Sequence, residues 1–181
     1  MTKNNILISG GGSGGHIFPA LAIADKMKEK NKNLKIIFVG ARGKMEMNKV
    51  PSYGYKIIPI FISGFQRNNS FKNLFLPIKL IVSLISSFLI VIKYKPALVI
   101  GTGGYASGPL LFISSILNIP TIIQEQNSFP GITNRILSKF VDKICVAYEN
   151  MDKFFPKSKI ILTGNPIRPL VFKNYNQAEA K

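Results

Sequence analysis

Three features of this 181-residue sequence predict an α/β fold built on a doubly wound, mostly parallel sheet. Short runs rich in Val, Ile and Leu alternate with segments of helical periodicity, the pattern of repeated strand–helix units with right-handed crossovers. The runs are apolar along their whole length, as strands are when helices cover both faces of a sheet. Two glycine clusters each stand directly between such a run and a helical segment.

Taken in order, residues 5–9 form the first expected strand, followed by a glycine loop and a helix over 18–30 with Pro19 suited to its first turn. Residues 35–39 give a second strand and 43–50 a short helix; 55–60 give the third strand, followed by a loop over 63–69. A strongly apolar helix lies within 74–92. Strand four falls at 97–100, a helix at 108–117, strand five at 121–124 and a helix at 132–140. Residues 143–147, 151–155 and 159–162 then read as strand, helix and strand. With the order 3-2-1-4-5, strands one and four are neighbours at the switch point where such sheets bind ligands. After Asn165-Pro166 the chain turns polar, so one domain is expected over 1–166, with 167–181 the start of a linker or tail.

Composition removes several classes of function. A hydrophobic fraction of 46% is too high for a disordered chain, one Cys excludes a disulfide framework, and one His excludes a multi-His metal centre. A chain free of disulfides fits a reducing cytoplasm, and Ile6-Leu7-Ile8, followed at once by glycines, does not read as a cleavable signal. The charge, 24 Lys+Arg against 8 Asp+Glu for a net +16, first suggests nucleic acid. Its distribution argues otherwise. No acid lies between Glu46 and Glu125, and the bases there, Lys72, Lys79 and Lys93 among them, flank the apolar segment. Cations framing an apolar face suit an anionic membrane surface better than a nucleic-acid groove, which interleaves aromatics in a polar context. The charge-free run from Leu80 to Ile92 is shorter than the roughly 20 residues of a spanning helix. Lys72, Lys79, Ser83, Ser86 and Lys93 recur at helical spacing as a narrow polar stripe. The helix is therefore expected to lie in the interface, between its own sheet and lipid, with burial under another helix as the alternative.

The glycine clusters, Gly10 to Gly15 and Gly101 to Gly108, should face each other across one crevice. Glycines let backbone N–H groups approach an anion, and a helix N-terminus favours negative charge, so a diphosphate is the natural guest. Gly10, Gly12 and Gly15 satisfy the dinucleotide fingerprint, but Val39-Gly40-Ala41-Arg42 supplies no acid for a ribose; Arg42 keeps an NADP-dependent oxidoreductase open as an alternative. An NTPase P-loop fails because His16 stands where Lys-Ser/Thr is required. The positive end of the following helix favours a neutral imidazole at His16, which can then take a proton from a hydroxyl. Alternatively His16 only bonds a neighbouring loop. Glu125 is a second candidate base or sugar-orienting group, or else the partner of Arg135; Asn127 is a sugar ligand or a turn residue; Tyr105 stacks on substrate or merely packs.

These residues, with Phe18-Pro19-Ala20, Lys44-Met45-Glu46, Ile62-Ser63-Gly64, Ser107-Gly108-Pro109, Glu125-Gln126-Asn127 and Gly164-Asn165-Pro166-Ile167-Arg168, resemble the N-terminal domain of the MurG family of peptidoglycan glycosyltransferases along essentially the whole chain. The resemblance implies the N-terminal half of a GT-B enzyme: a Rossmann-like domain facing a second one across a cleft, with no metal and no cofactor. It implies inverting transfer of N-acetylglucosamine from UDP-N-acetylglucosamine to lipid I, giving lipid II, at the cytoplasmic face of the cell membrane. His16 and Glu125 match catalytic positions. Ser13, Gly14, Gly15, Asn127 and Arg168 match donor-binding positions, and Gly103, Gly104 and Tyr105 match the site for the acceptor diphosphate. Lys72, Phe75, Lys79, Ile81 and Phe88 match a membrane-docking patch. Gln124 stands where many members have His. No counterpart of the family's nucleotide-sugar domain follows Arg168, so the chain is expected to be inactive alone, with a separate chain carrying that domain as one arrangement. A non-catalytic membrane-anchoring subunit of a split transferase is the alternative.

Overall fold

The computed structural model describes residues 4–64 and 74–167. Its strands are β1 (Asn5–Ser9), β2 (Lys35–Ala41), β3 (Lys56–Ile60), β4 (Leu98–Gly101), β5 (Thr121–Glu125), β6 (Lys143–Val146) and β7 (Ile160–Leu162). Between them lie α1 (Gly14–Lys30), α2 (Glu46–Ser52), α3 (Leu76–Tyr94), α4 (Ser107–Ile116) and α5 (Ile132–Leu137), with 3-10 turns at Met151–Lys153 and Lys157–Lys159. All seven strands form one parallel sheet in the order β3-β2-β1-β4-β5-β6-β7. The register pairs Ser9 with Val39 on one side and with Gly101 on the other, so β1 and β4 end at the same height.

Side chains alternate across the sheet as a period of two requires. Ile6, Ile8, Phe38 and Ile100 pack under α1 through Ile17, Ala20, Leu21 and Ala24. Leu7, Val39, Val99 and Ile123 pack on the opposite face against Ile90 and Val91 of α3, Leu110 and Leu111 of α4, and Leu137 of α5. A strand buried on both faces must be apolar throughout, which is why the uninterrupted runs were diagnostic.

Several expectations need correcting. Helix α1 begins at Gly14, ahead of the expected residue 18, so Pro19 lies inside it and His16 occupies its first turn. Glycines weaken a helix interior but are tolerated in the first turn, where N–H groups have no intrahelical partner in any case. The serines expected in the polar stripe of α3 divide. Ser83 is fully buried and its Oγ donates to its own helix at Leu80 O (2.7 Å), whereas Ser86 is half-buried and its Oγ donates to Val82 O (2.8 Å); Ser87, outside the expected stripe, is also fully buried. Small side chains let α3 pack closely against the domain together with Ile90 and Val91, while most of its other bulky apolar residues point outward. The expected helix over 151–155 is only a single 3-10 turn. Cys145, on β6, is half-buried; burial pushes its thiol up, with a Thr163 hydrogen bond acting the other way.

Candidate functional site

The loops after β1 and β4 meet. Thr102 N donates to Ser9 O (2.9 Å), and Thr102 Oγ1 donates to the His16 carbonyl (2.7 Å). A Cβ on Gly10 would overlap Thr102 Oγ1, and one on Gly104 (φ +79°) would come within 2.2 Å of the Gly11 carbonyl oxygen. Glycine is thus required at Gly10 by the Thr102 side chain lying against it, and at Gly104 by both its positive φ and the closeness of the Gly11 backbone. The start of α1 forms one wall of the crevice. Ser13 caps the helix with extended backbone and no side-chain hydrogen bond, and Gly12, Ser13 and Gly15 are exposed. The first-turn N–H groups at Gly14 and Gly15 have no carbonyl one turn earlier to meet, and the helix dipole favours an anion beside them.

His16 is half-buried against the second loop, its Nδ1 within 2.7 Å of where a Gly103 Cβ would stand. The same Nδ1 lies 2.9 Å from the Thr102 carbonyl oxygen and 2.8 Å from the Gln126 side-chain amide. The structure therefore joins His16, Gly103 and Gly104 as the sequence anticipates.

Glu125 is only 1% exposed, and both of its oxygens are engaged inside the protein. Oε1 accepts from the Asn127 backbone and side-chain nitrogens (3.0 Å each); Oε2 accepts from Gly131 N (3.2 Å) and Asn134 Nδ2 (2.9 Å). Arg135 is not among these partners; its guanidinium lies over the rings of Phe129 and Phe154. Glu125 thus folds the loop over 126–131 at the end of β5 and sets the side chain of exposed Asn127 at the cleft edge. Asn165 Nδ2 donates to Gln126 O (3.4 Å), which ties residues after β7 to the same cluster.

Glu46 is the buried group that the sequence reading did not single out as functional. Fully buried at the start of α2, it accepts from Gly12 N (3.1 Å) and Ala41 N (3.0 Å), pinning the first loop to the end of β2. Only its place in Lys44-Met45-Glu46, at the edge of the acid-free span, hinted at this. The dinucleotide alternative loses support here, because the loop N–H at Gly12 is already given to a carboxylate, and a second anion beside Glu46 would be repelled. Tyr105 lies between Gly12 and Gly64, its ring 3.1 and 2.8 Å from the Cβ positions those glycines lack. Burial first, and the Glu46 charge second, raise its phenol above the ordinary range.

Tyr105 also borders an apolar cavity of about 610 Å³ walled by Ile62, Leu76, Leu80, Leu84 and Phe112. From there the outer face of α3 runs on as exposed Phe75, Ile78, Ile81, Ile85, Phe88 and Leu89. By length and composition α3 could cross a membrane, and 22% of its apolar window is buried against the domain. Of the expected docking residues, Phe75, Ile81 and Phe88 are exposed, whereas Lys79 is half-buried and donates to Ser63 Oγ (3.0 Å). Lys72, Arg168 and the loop from residue 65 lie outside the described residues.

Residues 6–146 match the family model of the glycosyltransferase family 28 N-terminal domain. The chain is 58% identical over 168 residues to the UDP-N-acetylglucosamine–N-acetylmuramyl-(pentapeptide) pyrophosphoryl-undecaprenol N-acetylglucosamine transferase of Flavobacterium psychrophilum, a match covering 93% of this chain and 46% of that protein. It is 55% identical over 168 residues to the transferase of the same name from Christiangramia forsetii, with the same coverage. Among solved structures it superposes on MurG from Acinetobacter baumannii with a TM-score of 0.76 at 28% identity, covering 91% of this chain and 47% of that one. The chain spans about half the length of the curated relatives it matches.

Proposed function

Because the chain belongs to the glycosyltransferase family 28 N-terminal domain family, we propose that it is the acceptor- and membrane-binding half of a peptidoglycan transferase. The whole enzyme would move N-acetylglucosamine from its UDP sugar to lipid I, giving lipid II. The observation that carries this reading is the junction of the two loops around one imidazole, with Thr102 O 2.9 Å from His16 Nδ1 and open N–H groups at the start of α1.

In this mechanism the acceptor diphosphate rests against the glycine loops, and the prenyl chain follows the apolar cavity beside Tyr105 toward the outer face of α3. His16 takes the proton of the muramoyl hydroxyl as its oxygen attacks the anomeric carbon. The bond from that carbon to UDP breaks, configuration inverts, and UDP leaves with the bonding pair. Backbone donors and the helix dipole stabilise the developing charge. Glu125 acts by holding the 126–131 loop, because its oxygens have no room for a substrate proton. Ser13, Gly14, Gly15 and Asn127 face the donor sugar; Arg168 keeps its place as a donor contact on resemblance alone. The exposed face of α3 and the net charge of +16 suit a peripheral protein on the anionic cytoplasmic surface of the cell membrane.

The test is transfer from UDP-N-acetylglucosamine to a lipid I analogue. Turnover is expected to be negligible with the chain alone, and measurable when it is joined to the nucleotide-sugar half of the Flavobacterium relative. His16→Ala then lowers kcat about 100-fold or more. Efficient turnover by the chain alone refutes the half-enzyme reading. Full activity of His16→Ala in the joined protein refutes His16 as the base, and favours the second reading, a non-catalytic anchoring subunit, to which the broad exposed face of α3 also points.

A further inference from the structure

We infer that Gln126 is a positioning residue that fixes the tautomer of His16, presenting its side-chain oxygen to Nδ1–H and so leaving Nε2 free to accept a proton. This deepens the role of His16 as base and rests on that reading for its catalytic meaning, although its structural content stands separately.

Two groups lie within hydrogen-bond distance of Nδ1, the Thr102 carbonyl oxygen at 2.9 Å and the Gln126 amide at 2.8 Å. A backbone carbonyl can only accept, so Nδ1 must carry the proton. An amide NH₂ directed at the same nitrogen would set donor against donor. The oxygen and nitrogen of a glutamine amide are assigned from their hydrogen bonds, and here the bonds decide. With nitrogen toward His16, Gln126 Oε1 is buried without a partner among the described residues, in company with the amide oxygens of Gln124 and Asn134. Turning the Gln126 amide puts Oε1 on Nδ1–H, which replaces donor facing donor with a hydrogen bond, and moves the amide nitrogen to where Oε1 stood. Nδ1–H is then shared by two acceptors from two different strand ends, β4 and β5. A free imidazole favours the proton on Nε2; this pair of acceptors reverses that preference, as the outer partner of a ligating or catalytic His generally does. Asn165, bonded to Gln126 O, holds the backbone of this residue in place.

The sequence contains one His, so a chain labelled with ¹⁵N-histidine gives a single set of ring resonances. Long-range ¹H–¹⁵N correlation, at a pH where the ring is neutral, should show a protonated Nδ1 and a pyridine-type Nε2. Gln126→Leu, which keeps the bulk and loses the oxygen, should lose that signature to a mixture with the Nε2–H form. Gln126→Glu, which can only accept, should restore it. A wild-type ring protonated on Nε2, or a signature unchanged in Gln126→Leu, overturns the inference. If Gln126→Leu fails to fold, the wild-type and Gln126→Glu spectra still decide. In the joined transferase, Gln126→Leu should lower kcat with little change in the donor KM. If the spectra come out as expected while His16→Ala remains fully active, the base assignment falls and the positioning role stands.

Discussion

Replacing Gly104 by Ala tests the closeness of the two loops directly. At φ +79° an L-residue costs about 1–2 kcal/mol, and the added methyl would stand 2.2 Å from the Gly11 carbonyl oxygen, a backbone atom that cannot swing aside. Relieving that overlap means prising the loops apart, at the roughly 1–3 kcal/mol typical of overpacking. The sum is about 3 kcal/mol, or a fall of about 6–12 °C in Tm for a chain of this size. Gly43 provides an internal control. Its φ is +72° with nothing within 4 Å of the Cβ position, so Gly43→Ala should cost the backbone term alone, about 1 kcal/mol. Calorimetric unfolding of the two variants beside wild type isolates the difference. Equal losses of Tm would mean that the loops do not touch and that the shared crevice is wrong.

Glu46→Gln should destabilise the domain by about 1.5–3 kcal/mol in urea unfolding, because an amide can satisfy only one of the two N–H groups at Gly12 and Ala41. The same variant should lower the spectroscopic titration of Tyr105 only part of the way to an ordinary phenol, since burial is the larger cause of its rise. The folded state holds the phenol proton more tightly than the unfolded chain. Stability from Tyr105 is therefore complete below the unfolded value near 10, and is lost as pH climbs through the higher folded one. An unmoved titration in Glu46→Gln would break that pairing. On α3, Ile81→Asp with Phe88→Asp removes two exposed apolar side chains worth about 1.5–3 kcal/mol each when buried. Sedimentation with anionic vesicles should then show binding at least about 100-fold weaker at unchanged Tm, and unaltered binding would count against a docking face.

The sheet was legible because burial on both faces leaves a strand no polar positions, and the runs at Ile6-Leu7-Ile8 and Ile36-Ile37-Phe38-Val39 carry that mark. The crevice was legible for a similar reason: a backbone approach that admits no Cβ leaves glycines behind, and parallel order then sets the loops side by side. Side-chain roles were harder to read. Glu125 looked like a free acid because it stands alone in sequence, yet its four donors come from Asn127, Gly131 and Asn134, which no periodicity connects to it. The serines of α3 looked like a polar stripe because residue type signals water, whereas a hydroxyl bonded to its own helix is compatible with full burial. Gln126 stood in the motif Glu125-Gln126-Asn127 without a sign of its role, since what matters is which end of its amide meets His16.

The two loops share one crevice but are held by different means, and this separates a fixed wall from an anion-binding one. In the first loop Gly12 N is bound to Glu46, itself locked to Ala41, so that N–H is not offered to a ligand and has a negative charge behind it. On the proposed reading an anionic group is thereby disfavoured on the β2 side, where a dinucleotide would lie, and favoured at the open start of α1 and the second loop beside His16. Tyr105, held above Gly12 and bordering the apolar cavity, marks the point where the polar crevice gives way to hydrocarbon. The proposed substrate, with a diphosphate at one end and a long apolar chain at the other, would meet those surfaces in order, whereas a soluble dinucleotide would leave the cavity and the face of α3 without purpose.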